Sequence, residues 1–175
     1  LEETPLVEII PLADVAAERV EALLDAAFGP DRFSRTAYAC RAGTAAIPAL
    51  SFAAVDGDEL VGSIQCWPVG LFDDDGQCFQ RLTMVGPVAV SPARQREGIG
   101  RMLMAHCLKS AENQADSPLM MIGDPEYYGR FFGFSTAVTG GWMLPGPFEK
   151  RRLLARDAGE NVASATEGMI GPHPR

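Results

Sequence analysis

The segment Pro92–Leu103, PARQREGIGRML, holds the residue types and spacing best suited to chemistry. Gly98 and Gly100 permit backbone conformations and close approaches that a Cβ would block. They fall where a helix is expected to begin, so unpaired N–H groups and the positive end of the helix dipole converge there. Such a place binds phosphate. Arg94, Arg96 and Arg101 against Glu97 add a local charge of three minus one, or +2. An ordinary strand-to-helix turn with a solvated basic face would carry the same glycines. A dinucleotide fingerprint requires a third Gly three residues past Gly100, where Leu103 stands, and a P-loop requires a Gly-Lys-Ser/Thr that this segment lacks.

Further along, MMIGDPEYYGRFFGF (120–134) reads as the end of a short apolar run followed by a short helix. Asp124-Pro125 is a helix start, Asp as N-cap and Pro in the first turn, and the expected helix carries Tyr127 and Tyr128. Asp124 and Glu126 are carboxylates in the same place, but capping and first-turn positions account for them without chemistry. Cys40, Cys66, Cys78 and Cys107 are spaced 26, 12 and 29 residues apart, which matches no standard zinc or redox set. No protein-bound metal is expected, and four scattered cysteines suit a reducing compartment, taken as the cytoplasm. His106 falls on or beside the apolar stripe of the helix after the loop, as a packing or surface residue.

These groups must be positioned by a small set of elements. Leu6–Leu12 alternates as a strand, and Asp14 is placed to cap a helix running to about Phe28, where Gly29-Pro30 breaks it. Residues 31–42 read as helix or loop. Residues 50–55 and 59–69 form a hairpin about Asp56-Gly57-Asp58, and Asp73–Gly76 is a second, solvated turn rather than a calcium loop. Gln80–Val90 reads as a third long strand interrupted at Gly86-Pro87, since Pro inside a strand removes a ladder donor. A helix over about 98–115, an apolar run at 118–123 and the short helix over about 126–131 follow. Residues 142–144 and 149–156 are later strand candidates, and 157–175 is a poorly defined C-terminal segment.

The chain has 175 residues, a length that fits one domain over 1–175 with a core able to stand without disulfides. No run approaches the roughly 20 apolar residues of a membrane helix, so no membrane partner is expected. The net charge of −8 argues against nucleic acid. That charge is split: residues 1–80 hold fourteen acids and four bases, or −10, and residues 81–175 hold nine acids and eleven bases, or +2. The acidic half suits a cationic partner.

QREGIG (Gln95–Gly100), directly after a β-run ending VAVSP, resembles the (Arg/Gln)-x-x-Gly-x-(Gly/Ala) pyrophosphate loop of the GNAT N-acetyltransferase superfamily. Residues 120–134 resemble the same family's next motif, a strand, a short helix with Tyr, then Gly-Phe; the clear likeness covers about residues 82–134. The resemblance implies an α/β (α+β) fold with a mixed, mostly antiparallel sheet of six to seven strands flanked by helices. It implies central parallel strands that splay apart. It further implies an acetyl-CoA-dependent N-acetyltransferase, with the neutral amine attacking the thioester through a tetrahedral intermediate. Backbone of Val88, Ala89 and Val90 would pair with the pantetheine arm, and the N–H groups of Gln95, Arg96, Glu97, Gly98, Ile99, Gly100 and Arg101 would hold the pyrophosphate. Tyr128, with Tyr127 second, would protonate the departing thiolate. The family's usual spacing is Tyr, three residues, Gly-Phe; here four residues separate Tyr128 from Gly133. The acceptor would be a small-molecule or peptide amine, a cationic one suiting the acidic half, and the family's habit suggests a homodimer. A catalytically silent acyl-CoA sensor or partner subunit would share the loop and differ at Tyr128.

Overall fold

The computed structural model describes residues 6–114, 117–156 and 167–175. In chain order the elements are β1 (Val7–Pro11), α1 (Ala17–Phe28), α2 (Thr36–Cys40), β2 (Phe52–Asp56), β3 (Glu59–Phe72) and β4 (Cys78–Val90). They continue with α3 (Ile99–Gln114), β5 (Leu119–Ile122), α4 (Pro125–Phe132), β6 (Phe134–Ser135), β7 (Trp142–Met143), β8 (Leu153–Arg156) and β9 (Gly168–Pro172). Hydrogen bonds link the strands in the order β1-β2-β3-β4-β5-β8-β6, with β9 pairing β3 and β7 in addition. Nine described strands thus exceed the six or seven expected, because three two- to five-residue pairings near the end of the chain have no period a sequence can show. The sheet is mostly antiparallel and flanked by helices, as expected. The chain divides into two compact units, and β3 and β4 each contribute residues to both.

The first unit comprises residues up to Arg32, then 47–65 and 87–114. β1 pairs antiparallel with β2 from Val7↔Asp56 to Pro11↔Phe52. β2 pairs with β3 across the expected hairpin, whose Gly57 takes φ 59°. The register passes from Ala54↔Gly62 to Val55↔Leu60, so Val61 is the extra residue of a β-bulge. One sheet face carries the core of Val15, Val20, Leu23, Leu24, Ala53 and Ala89. Gly62 looks the other way: a methyl there would lie 2.8 Å from Ile99 Cγ2 and 3.0 Å from Leu103 Cδ1, so the missing side chain lets α3 approach the strand. On α3, Cys107 Sγ donates to Leu50 O at 3.5 Å and His106 packs edge-on to Phe52, a packing role as expected.

The helix expected from Asp14 starts later. Asp14 lies in a 3-10 turn over Leu12–Asp14, and Ala16 precedes α1 with no side-chain cap. Val15, extended and buried, takes its place in the core, and it holds the chain out of helix for that residue. The other end matches expectation, with Gly29 at φ 91° donating its N–H to Asp25 O at 2.8 Å. The buried Arg32 guanidinium is then drawn back onto α1, pairing with Glu21 and, at 2.9 Å, with Asp25.

The second unit comprises 33–46, 66–86 and the chain from 115 on. Its core gathers Val69, Leu71, Leu82, Met84, Met120, Trp142, Leu153 and Ile170. Arg41, ending α2, lies 3.6 Å over the Trp67 ring and 4.1 Å over Tyr38, a stacking a guanidinium makes well. Asp73 Oδ1 accepts from the N–H groups of Asp75 and Gln77, both at 2.9 Å, which closes the expected turn locally. The strand anticipated at 149–156 is a 3-10 turn over Lys150–Arg152 followed by β8.

Residues 167–175 correct the reading of the C-terminal segment. They hold β9, whose Ile170 pairs with Leu71 and is fully buried. Residues 157–166 of that segment, and residue 115 at the end of the helix expected over 98–115, lie outside the described residues.

The parallel contact between β4 and β5 consists of Thr83↔Leu119 and Met84↔Met120. β5 runs on to Ile122 in register with β8 (Met121↔Leu154, Ile122↔Leu153). Gly86, two residues past the last of these β4–β5 pairs on β4, takes φ 124°, a backbone state that L side chains avoid. The interruption expected at Gly86-Pro87 does not occur: β4 remains one strand through it.

Candidate functional site

In the first unit, β4 delivers the chain into the glycine loop. Ala89 is buried on the α1 side, while Val88 and Val90 are half-buried. Ser91 N–H donates to Val61 O at 2.9 Å, a 3-10 turn covers Pro92–Arg94, and Gln95 Nε2 reaches back to Val90 O at 3.0 Å. The Gln95 side chain thus ties the loop to its own strand, leaving its backbone to do any ligand binding.

Arg94 is committed to the protein itself. Its guanidinium grips Glu97 through two bonds of 2.8 and 3.0 Å and also meets Asp56 at 3.0 Å and Glu59 at 3.4 Å. The Glu97 hydrogen bond raises the Arg94 pKa further, with Asp56 adding to it, and the same bond holds Glu97 below the usual carboxylate range. The three arginines counted around the loop are not equivalent. Arg94 staples the loop to the β2–β3 hairpin, and Arg96 and Arg101 supply its remaining cationic side chains.

The loop backbone is unusual at two points. Arg96 has φ 68°, the one non-glycine residue among those described with a positive φ, and Gly98 has φ 82°. A non-glycine residue in the left-handed region costs about 1–2 kcal/mol, and such strain clusters at functional sites. The first intrahelical bond of α3 runs from Met102 N–H to Gly98 O at 3.0 Å, so Ile99 and Gly100 N–H groups lack an intrahelical acceptor. Around Gly98 no atom lies within 4 Å of where a methyl would stand, and residues 95–98 are all exposed. An open, N–H-lined cradle at the start of a 16-residue helix is a fit for a diphosphate.

In the second unit, β5 leads into α4. Asp124 caps the helix, its Oδ1 accepting from Glu126 N–H at 3.0 Å, with Pro125 in the first turn as expected. Hydrogen bonding to Glu126, through its side chain and then its backbone N–H, holds the Asp124 carboxyl below its ordinary value. Such a carboxylate is a poor proton acceptor. Glu126 pairs with Arg151 at 2.6 Å. Tyr127 and Tyr128 are half-buried, with ring centroids 4.9 Å apart and planes at 90°. The additional residue before Gly133 is absorbed without a break: α4 is regular through Phe132, and Gly133 ends it at φ 75° with its N–H on Gly129 O.

Tyr128 has a specific seat that the sequence motifs did not single out. A methyl on Gly123, just past β5, would lie 2.7 Å from Tyr128 Cε2 and 2.8 Å from Cδ2. The ring lies against bare backbone. Burial raises the Tyr128 pKa, Tyr127 and Asp124 push the same way, and Arg152 opposes them. The phenol is therefore fully protonated at neutral pH. Gly123→Ala is expected to push the ring off its seat, at a cost of about 1–3 kcal/mol for overpacking. A lowered melting temperature together with an altered near-ultraviolet tyrosine signal checks this; an unchanged signal would sink it. No group of three His, Cys, Asp or Glu able to hold a metal occurs among the described residues, and the four cysteines are free thiols. Burial pushes the Cys40 thiol up to about 11, which leaves it unreactive at neutral pH.

The acetyltransferase (GNAT) family model matches residues 17–134, more than half of the chain. Among solved structures, a GNAT family N-acetyltransferase from Escherichia coli (YhbS), determined with CoA, superposes with a TM-score of 0.69 at 22% identity, covering 96% of this chain and 89% of that one. A GNAT family acetyltransferase from Brucella melitensis, determined with acetyl-CoA, gives 0.67 at 25% identity over 97% of both chains. No curated protein matches by sequence. No helix of the described residues is long and apolar enough to cross a membrane.

Proposed function

Because the chain belongs to the acetyltransferase (GNAT) family, we propose that it is an N-acetyltransferase moving the acetyl group of acetyl-CoA to a primary amine. Acetyl-CoA supplies an activated thioester; the nitrogen–carbon bond forms, the carbon–sulfur bond breaks, the amine gives up a proton and the thiolate takes one. In this reading the N–H groups of Gln95–Arg101 hold the diphosphate. The Val88–Val90 backbone pairs with the pantetheine arm and offers an N–H to the carbonyl oxygen, an oxyanion-type contribution. Tyr128 protonates the thiolate, with Tyr127 as the alternative donor. The observation that carries the reading is the loop: left-handed Arg96 and Gly98 ahead of a helix whose first N–H groups lack intrahelical acceptors.

The −10 carried by residues 1–80 supports a cationic acceptor such as a polyamine, an aminoglycoside-like amine, a lysine side chain or a peptide N-terminus. The reading takes residues 1–175 as one domain, cytoplasmic and with a homodimer as its assembly, acting on neither nucleic acid nor membrane. The test is thiol release from acetyl-CoA over a panel of amines, alongside calorimetric binding of acetyl-CoA. Turnover on cationic amines supports the reading. Tight binding without turnover on any amine replaces it with a silent acyl-CoA sensor, and absence of binding removes both.

A further inference from the structure

Three side-chain atoms of the described residues are buried without a hydrogen-bond partner: Ser63 Oγ, Gln65 Oε1 and Trp67 Nε1. Two belong to the first unit and stand two residues apart on β3. Ser63 is fully buried and Gln65 is 8% exposed. Ser63 pairs with Ala53, so both side chains stand on the sheet face that packs against Val20, Leu23 and Leu24 of α1. Gln65 shares that face by strand alternation, just past the last β2 pair, Phe52↔Ile64. The opposite face, at Gly62, is filled by Ile99 and Leu103.

Leaving a buried polar atom unpaired costs about 1–3 kcal/mol, and native proteins tolerate few such atoms without a reason. Valine or leucine would be cheaper at both positions in a face otherwise made of Ala53, Ala89 and the α1 side chains. The polar pair is explained if something else supplies the hydrogen bonds. Gln65 Oε1 accepts only, and the Ser63 hydroxyl both accepts and donates. Their joint complement is a molecule with hydrogen-bond donors. Neither group is ionised, so neither repays the desolvation of a bare ammonium, whereas both can accept from an uncharged amine. That is the form whose lone pair attacks a thioester.

We infer that Ser63 and Gln65 form a subsite for the acceptor, taking the N–H of the incoming uncharged amine and of a second donor near it. Positions two apart on a strand are spaced by roughly 7 Å, which suits a diamine or other amine with two donors over a simple alkylamine. The inference rests on the acetyltransferase reading and deepens it. The acidic half of the chain draws the cation in, and the two neutral oxygens favour it once its proton is gone.

The test uses Ser63→Ala and the volume-conserving Gln65→Met in the thiol-release assay, with the best diamine and the best monoamine of the panel. Each variant is expected to raise KM for the diamine tenfold or more. KM for acetyl-CoA should stay within twofold in both variants, KM for the monoamine should rise only in the variant that loses the partner of the reacting N–H, and the melting temperature should hold or rise, since an unpaired polar atom has been removed. Unchanged diamine KM in variants that still turn over overturns the assignment alone. A fall in melting temperature with unchanged KM does the same, by showing that the two side chains serve the fold. A wild-type protein that releases no thiol with any amine overturns the acetyltransferase reading itself, and the subsite with it.

Discussion

Tyr128→Phe is expected to lower kcat by about 10²–10⁴-fold, the usual contribution of a positioned general acid, while leaving the affinity for acetyl-CoA unchanged. The substitution removes one oxygen and keeps the ring that lies against Gly123 and 6.3 Å from the Phe132 ring. Melting should therefore barely move, which separates loss of a proton donor from loss of packing. The pH profile adds a second readout. An acid must hold its proton to act, so activity falls as pH rises through its pKa. Burial raises the Tyr128 pKa above the ordinary value of 10.0, so the alkaline limb assigned to this group should lie above pH 10. The same shift means that the folded state holds this proton more tightly than the unfolded one, so the contribution to stability declines only above pH 10. If Tyr128→Phe keeps kcat within threefold, the donor is not Tyr128, and Tyr127→Phe becomes the decisive variant.

What was legible in the sequence was local. The hairpin about Gly57 and the turn at Asp73–Gly76 announce themselves because their φ values and Asx hydrogen bonds demand particular residues. The Asp124-Pro125 start of α4 does so through capping, and the glycine loop through the close approaches it permits. What was illegible joins residues far apart. Arg94 reads as one of three arginines beside a phosphate loop, and only the fold brings Asp56 and Glu59 to it from more than thirty residues away. β9 is five residues, GMIGP, with no period to mark it; it forms because β3 offers an edge at Val69–Phe72. Gly123 looks like a strand end until a tyrosine five positions later folds back onto it. Ser63 and Gln65 are ordinary polar letters in a strand until burial makes them costly. Asp14 failed as a cap for a related reason: the core's demand for Val15 outweighed a local preference of about 1 kcal/mol.

Gly98→Val should abolish measurable acetyl-CoA binding, raising Kd by at least 100-fold, with only a modest loss of stability. At φ 82° the residue occupies a region that a β-branched side chain does not adopt without strain. The loop must therefore turn to another conformation, and the N–H groups on either side of residue 98 turn with it. Those amides are the diphosphate site in the present reading, and amide direction is what such a site consists of. Strain alone would not have this effect, and the β3–β4 turn supplies the control. Gly76 has φ 79°, and like Gly98 it has no atom within 4 Å of where a methyl would stand. Gly76→Val thus imposes the same backbone conflict, with the same open surroundings, away from the loop. The two variants should melt within a few degrees of each other, and only Gly98→Val should lose acetyl-CoA in calorimetry. Equal affinity in both would mean that the loop amides do not hold the diphosphate, whatever the family resemblance of QREGIG. Loss of binding at Gly98 alone ties the left-handed turn, rather than the charge of Arg96 or Arg101, to recognition of the donor.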